Sequence, residues 1–233
     1  MILNVVLKMI LRSWWRNKVF FLVSVASLAL GLACTNLLMT YFVHEHGLEG
    51  RNPDRDRMFF LRQDDPMTEG KRVAFAGAEI PPQLKQSYAE VENFLRLGKL
   101  DLLYCKVNEQ KVEGDFKMLS ADTTLTNFFD YRTEEGSLSQ VLCQPGKVAL
   151  SEACARRLFG GKQAVGKQVE AHFRFGEVRP YEVAAVLKKR EQSLLQFDML
   201  IAHDLDFFWG GLTLLKLTPG TDAGHLADKL NED

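Results

Sequence analysis

The sequence predicts an α+β protein: one N-terminal transmembrane helix, followed by a mixed α+β domain of two lobes outside the cytoplasm. Three observations carry this. Residues 19–43 contain no charged side chain, and Lys8, Arg12, Arg16 and Lys18 stand before them with no Asp or Glu until Glu45. Beyond them, short alternating stretches interleave with short helical ones, with no internal repeat and no low-complexity tract. Within that part, 147–187 holds its own strand, capped helix and hairpin pattern, which is the basis for expecting a second lobe.

At about 1.5 Å per residue, a helix over 19–43 exceeds the roughly 30 Å hydrocarbon core of a bilayer. The cations ahead of it place the N-terminus in the cytoplasm, so 44–233 lies on the other side. A cleaved signal peptide needs a much shorter apolar core. Leu32-Ala33-Cys34 resembles the end of a lipoprotein cleavage motif, but Gly31 stands where a bulky aliphatic residue belongs, and the apolar run continues through Leu37, Leu38, Met39 and Phe42. An uncleaved anchor is the expectation. Ser27, Gly31 and Thr35 recur at i, i+4 and i+8, beside Ala29 and Ala33, a spacing that lets another transmembrane helix approach closely. Small residues are common in any span, so the spacing alone does not establish such a face. Before the span, Asn4, Lys8, Arg12 and Arg16 form a narrow polar stripe on an otherwise apolar stretch, 2–15. A helix over 1–18 then lies in the membrane interface as an anchor, with Lys8, Arg12, Arg16 and Lys18 meeting lipid headgroups and Trp14 and Trp15 at headgroup depth.

In the remaining domain the pattern predicts strands at 58–62 and 73–75, and a helix from Pro81-Pro82 through Tyr88 to about Leu97. Strands at 102–107 and 111–112 flank a turn at Asn108-Glu109-Gln110, followed by a strand at 116–119 and a helical turn at 123–129. Next come a strand at 147–150, Ser151 as N-cap, a helix over 152–159 and Gly160-Gly161 as its C-terminal stop. A hairpin follows, with Val169, Ala171, Phe173 and Phe175 alternating, a turn at Gly176-Glu177 and a return over 181–187. The last elements are a strand at 212–217 and a helix from Asp222.

The chain of 233 residues has 29 Lys and Arg against 30 Asp and Glu. With four of the cations ahead of the span, the exported part is mildly acidic. Its basic residues are scattered without aromatic interleaving, so no nucleic acid partner is expected. Cys105, Cys143 and Cys154 lack metal spacing and read as small buried residues rather than a disulfide framework, although an oxidising compartment leaves one bridge open.

Several patterns imitate active sites. Gly161, Gly166, Lys167 and Gln168 approach a phosphate-binding loop, but that loop requires a strand before it and a helix after it, and a hydroxyl where Gln168 stands. His44-Glu45-His46 with Glu49 lacks a second histidine at helical spacing, since Leu48 stands there. Ser151 lacks the flanking glycines of a hydrolase nucleophile. No catalytic residue, metal ligand or bound cofactor is expected in this chain.

Taken in order, these segments resemble the MacB/FtsX-type permease subunits of ABC transporters. The resemblance rests on Arg16-Asn17-Lys18, the 28–33 centre of the span and its Tyr41-Phe42-Val43 end. It continues through Asn52-Pro53-Asp54-Arg55-Asp56-Arg57-Met58-Phe59, Phe128-Phe129-Asp130-Tyr131, Glu135-Gly136-Ser137 and Val148-Ala149-Leu150-Ser151-Glu152. Arg157-Leu158-Phe159-Gly160, Val165-Gly166-Lys167, 197–201 and Leu215-Lys216-Leu217-Thr218-Pro219-Gly220 complete it. It implies a MacB-like periplasmic core over 44–233 and a place in the bacterial inner membrane. It also implies a partner ATPase subunit in the cytoplasm that binds the ATP, and assembly with a second permease copy as a dimer or with further transmembrane helices. That family carries three more spans after the core, and here the sequence stops within the helix from Asp222, so the expectation is the N-terminal part of such a permease. The alternative is a single-span anchored binding or sensing module without energy coupling.

The uncleaved anchor has a direct readout. Intact-mass measurement of the membrane-extracted protein should give a chain that continues through Cys34 without acyl groups. A mass matching a chain that starts at Cys34, or one carrying lipid, contradicts it.

Overall fold

The computed structural model describes residues 18–47, 52–64, 71–161, 163–174, 176–188, 193–203 and 210–232. The expected interfacial helix, with Lys8, Arg12, Trp14, Trp15 and Arg16, lies outside these residues; of that set only Lys18 is described. The side chains of His44, Glu45 and His46, and all of Glu49, also lie outside them. The chain divides into two compact units, Met1–Gly50 and Arg51–Asp233.

In the first unit, α1 (Lys18–Gly47) is one uninterrupted helix of 30 residues. Its stretch from Lys18 to Phe42 is long and apolar enough to cross a membrane, and none of it is buried within the protein. Leu22, Leu30, Leu37 and Leu38, on different sides of the helix, are each more than 60 % exposed. A helix apolar on every side finds its solvent in lipid when the protein does not cover it.

The second unit is built around one strand, β5 (Val91–Val107). It follows β1 (Met58–Phe60), the short pair β2 (Gln63–Asp64) and β3 (Arg72–Val73), then β4 (Ala76–Gly77) and helix α2 (Ile80–Ser87). The expected helix to Leu97 thus stops at Ser87. Tyr88 turns extended, and the next residues enter the sheet because Leu95 and Leu97 project to one face of β5 while Leu100 and Leu102 project to the other. Long-range pairing there overrides a local pattern compatible with helix. Of the expected strand at 73–75, only Val73 is in a strand, at the end of β3, and the chain bends before β4 begins at Ala76.

After β5 come β6 (Gln110–Glu113), β7 (Lys117–Ala121), α3 (Leu125–Phe128), β8 (Thr133–Gly136) and α4 (Leu138–Cys143). The rest are β9 (Lys147–Ser151), α5 (Glu152–Phe159), β10 (Gln168–Phe173), β11 (Val178–Leu187), β12 (Met199–Ala202), β13 (Gly210–Leu217) and α6 (Ala223–Glu232). Local signals place several of these where the sequence predicts them. Asn108 and Glu109, with φ of 48° and 63°, form the tight turn between β5 and β6. The Ser151 side chain accepts from the Cys154 N–H at 3.2 Å, and Gly160 closes α5 in the left-handed region.

Eleven strands form one sheet, and part of it closes on itself. β5 pairs with β7 through 97–101 and with β10 through 102–106; between those two partners run β12, β9 and β11 in unbroken order. One face of this ring collects Leu100, Leu102, Met118, Val148, Leu150, Val169, Val183, Met199 and Ile201, stoppered by Leu158 and Phe159 of α5. The other collects Leu95, Leu97, Ala149, Ala185 and Leu200 under α3 and α4. A third cluster joins Val91, Leu215 and Leu217 to Leu226 of α6. With both faces covered, β9 reads as a continuous apolar run instead of alternating.

The expected second lobe, 147–187, is joined to the rest of the domain through the sheet. The 147–187 block does not stand apart, because β9 bonds to β12 and β10 bonds to β5. A β–α–hairpin unit leaves two strand edges with unpaired N–H and C=O groups, and here the rest of the domain satisfies both. Cys105 and Cys154 are buried free thiols, as expected, whereas Cys143 is exposed. Burial pushes the Cys105 thiol up to about 12 and raises that of Cys154 as well.

Gly136 joins β8 to the sheet at φ 75°, and a Cβ there would lie 2.0 Å from the Ala184 carbonyl oxygen. Gly136→Ala should therefore destabilise by about 1–3 kcal/mol or more. Gly160→Ala, at a similar φ in open space, should cost only about 1 kcal/mol. Chemical denaturation of both variants measures the difference; equal costs would contradict the close approach.

Candidate functional site

Where the chain enters the domain, Asn52-Pro53-Asp54-Arg55-Asp56-Arg57 makes a compact polar turn. The Asn52 side-chain oxygen accepts from the Asp54 N–H at 3.0 Å, and its amide nitrogen donates to the Phe128 carbonyl at 2.6 Å, fixing the segment to α3. A single 3₁₀ turn over Arg55–Arg57 follows, with the Arg57 N–H donating to the Asp54 carbonyl at 2.9 Å. This turn aims Asp54 and Arg57 at the same spot.

There they meet Lys216 and Glu92. Lys216 Nζ donates to Asp54 Oδ2 at 2.5 Å and lies 3.6 Å from Glu92 Oε1 and 3.4 Å from the Asn127 carbonyl. Arg57 donates to Asp54, to Glu92 Oε2 at 2.6 Å and to the Leu217 carbonyl at 2.7 Å. Two acids and two bases thus form a neutral clasp around Lys216, which is only 7 % exposed. Its members come from the incoming turn, the start of β5 and the end of β13, with a carbonyl from α3. Hydrogen bonding to Lys216 and then to Arg57 holds the Asp54 carboxyl below its ordinary value, and Asp54 and Glu92 together raise Arg57.

The outgoing end is fastened nearby by different means. Leu226 of α6 packs against Leu215, Leu217 and Val91, and Lys229 Nζ pairs with Glu90 at 2.7 Å. The Asp222 side chain accepts from the Gly224 N–H at 2.8 Å and caps α6. A single guanidinium, that of Arg57, therefore bridges the incoming turn and the last residue of the outgoing strand.

On α1, the predicted packing residues Ser27, Gly31 and Thr35 fall on one exposed side. Thr35 Oγ1 donates to the Gly31 carbonyl at 2.9 Å, which satisfies the hydroxyl within the helix. Space at Gly31 is open, with no atom within 4 Å of where a Cβ would stand.

Two described donors of the imitation phosphate loop are committed to the backbone: the Gly166 N–H donates to Val183 O and the Lys167 N–H to Ala164 O. Lys167 Nζ lies 4.8 Å from the centre of the Phe159 ring, and the loop leads from α5 into β10, so no helix N-terminus faces it. Among the described residues no group of three His, Cys, Asp or Glu side chains is placed to hold a metal. Sequence reasoning missed Lys216 and Glu92 as partners of Asp54 and Arg57. The signal available was a lysine inside the apolar run Leu214-Leu215-Lys216-Leu217.

Since the folded-state pKa of Asp54 is lowered, its contribution to stability is complete at neutral pH and is lost as pH falls through the carboxylate range toward that lowered value. Asp54→Asn should destabilise by about 1–3 kcal/mol at pH 7, and the difference from the parent should shrink below about pH 4. In a Lys216→Met background the same substitution should cost at least about 0.5 kcal/mol less. Denaturation across this cycle tests it; additive costs would mean that the two side chains do not interact.

Solved structures share this architecture. A family model described as the MacB-like periplasmic core domain matches residues 21–233. No curated protein matches the chain. Among solved structures, the chain is similar to a domain of a protein assigned as a permease from Porphyromonas gingivalis, with TM-score 0.62 and 19 % identity over 77 % of this chain and 83 % of that one. It is also similar to the periplasmic region of MacB from Actinobacillus actinomycetemcomitans, with TM-score 0.52 and 11 % identity over 75 % and 79 %. A third is the extracellular domain of the noncanonic ABC-type transporter YknZ from Gram-positive bacteria, with TM-score 0.53 and 16 % identity over 73 % and 86 %. At these identities the structures establish a shared fold, and the family match, over nearly the whole chain, establishes membership: the chain belongs to the MacB-like periplasmic core domain family, a component of MacB/FtsX-type ABC transporter permeases.

Proposed function

We propose that this chain is the N-terminal part of a permease subunit that converts ATP hydrolysis by a cytoplasmic ABC ATPase into mechanical work in the periplasm, in export, efflux or lipoprotein release. The observation that carries this reading is the clasp. Arg57 and Lys216 tie the segment arriving from the membrane helix to the strand that leads out of the domain, so displacement of either end is delivered to β5 and β13. The tie consists of directional, charge-assisted hydrogen bonds, which fix orientation as well as distance.

In this reading the ATP sits on the partner, and nothing in the chain needs to perform chemistry. The anchor lies in the inner membrane with its N-terminus cytoplasmic, and Lys8, Arg12, Trp14, Trp15, Arg16 and Lys18 hold the helix end at the lipid interface. The side bearing Ser27, Gly31 and Thr35 packs against another transmembrane helix, from the same permease or a second copy.

An affinity tag on the chromosomal copy, with gentle detergent extraction from native membranes, provides the test. An ABC ATPase should be recovered with the chain, and recovery should survive Asp54→Asn while transport by the assembly falls. Recovery of the chain without an ATPase would favour an anchored binding module lacking energy coupling.

A further inference from the structure

The two ends of the domain are fastened by different physics. No side chain from Asn52 to Phe60 is fully buried; Phe59 and Phe60 are each 40 % exposed, and Met58 only rests against a core cluster formed by other segments. What holds this segment is largely polar. Its described contacts include the Asn52 contact to Phe128, the Asp54–Lys216 and Arg57–Glu92 pairs, the Arg57 bond to Leu217 and three residues of ladder against β13, and just beyond it Leu61 donates its N–H to Thr213 O at 2.9 Å and packs, half-buried, against the third apolar cluster. The outgoing end instead contributes Leu215, Leu217 and Leu226, each about 4 % exposed, to an apolar cluster.

A segment held only at its surface detaches without opening an apolar core, whereas one that supplies core residues cannot. We propose that residues 52–60 form a detachable strap, a unit that releases from Lys216 and β13 as one while the closed strand ring and α6 stay folded. The strap gives the domain a slip point on the incoming side only. A large displacement of the preceding helix then breaks the clasp and leaves the sheet intact, and small displacements are transmitted.

The cooperativity comes from sharing. Arg57 serves Asp54, Glu92 and Leu217 together, and Asp54 serves both Arg57 and Lys216, so losing one contact weakens the rest. Asp54, Arg57 and Glu92 retain partial exposure, so water can replace their bonds on release, while Lys216 is nearly buried until the strap leaves; salt at 0.5 M screens the exposed pairs more than salt at 0.05 M. This inference deepens the permease reading. Its test reads the strap in the isolated chain, so it can fail while ATPase association stands, and the reverse.

The experiment is hydrogen–deuterium exchange, followed by mass spectrometry, on the full chain in lipid nanodiscs. Amides of Arg57 to Phe60 should exchange at least about tenfold faster than those of β9 and β11 and share one opening rate. Raising the salt should speed them further. Asp54→Asn, or Lys216→Met should the first variant fold poorly, should accelerate them again by about tenfold, with α6, β9 and β11 unchanged. Exchange of the strap at the rate of β9 and β11, no response to either substitution, or joint opening of α6 with the strap would overturn the proposal.

Discussion

Closure of the strand ring through β5 is the constraint on which the rest of this domain depends. One strand serves β13, β7 and β10 in succession along its length, with β6 beside its far end, and the chain of pairings from β10 through β11, β9 and β12 to β7 returns to it. Every strand within the ring has both edges satisfied there, which removes the unpaired backbone that would otherwise invite slippage or association. The ring also defines two faces, and alternate residues of β7, β9 and β12 fill one cluster or the other. The helices follow from this: α5 covers one apolar face, and α3 and α4 cover the other.

Against this rigid centre, the attachment of the chain ends is where the molecule can respond. The clasp consists of groups with moderate exposure, except Lys216, so each pair contributes modestly and the network as a whole fixes direction. By contrast, the Arg96–Asp122 pair lies deeper, with side chains 16 % and 10 % exposed, and Arg96 also donates to the Ala78 carbonyl. It links β5 to the loop after β7 and to the segment before α2, and it belongs to the framework. Polar contacts thus serve two purposes here: one set braces the sheet and one joins it to the incoming chain.

Elements governed by local chemistry were legible in the sequence. The α5 helix was framed by a serine that caps it and a glycine that ends it, the β5–β6 turn by Asn108-Glu109, and the membrane helix by its unbroken apolar composition. What local signals could not show was pairing at a distance. The sequence from Val91 to Leu97 fits a helix as well as a strand until β13 and β7 lie beside it, and the 147–187 block looks autonomous until its outer edges find β5 and β12. The candidate site divides in the same way. The Asp54–Arg57 turn and the run containing Lys216 each stood out as matching a family pattern, but their contact, between residues 162 apart in sequence, belongs to the fold. The line Ser27, Gly31 and Thr35 follows from helical spacing, and its packing role remains part of the proposed assembly.

A ring that shares one strand moves as one body, since close-packed interiors shift between discrete arrangements instead of deforming continuously. The most direct test is pulsed electron paramagnetic resonance with spin labels at the exposed positions Arg156, on α5, and Asp228, on α6, with the exposed Cys34 and Cys143 replaced by serine. These positions lie on opposite sides of the boundary that two lobes would require. In the proposed assembly with an ABC ATPase, the account predicts a distance that stays constant, within about 2 Å, through the nucleotide cycle. A distance that shifts by more than that with nucleotide would mean that the domain flexes between two lobes and that the ring is not the unit that moves.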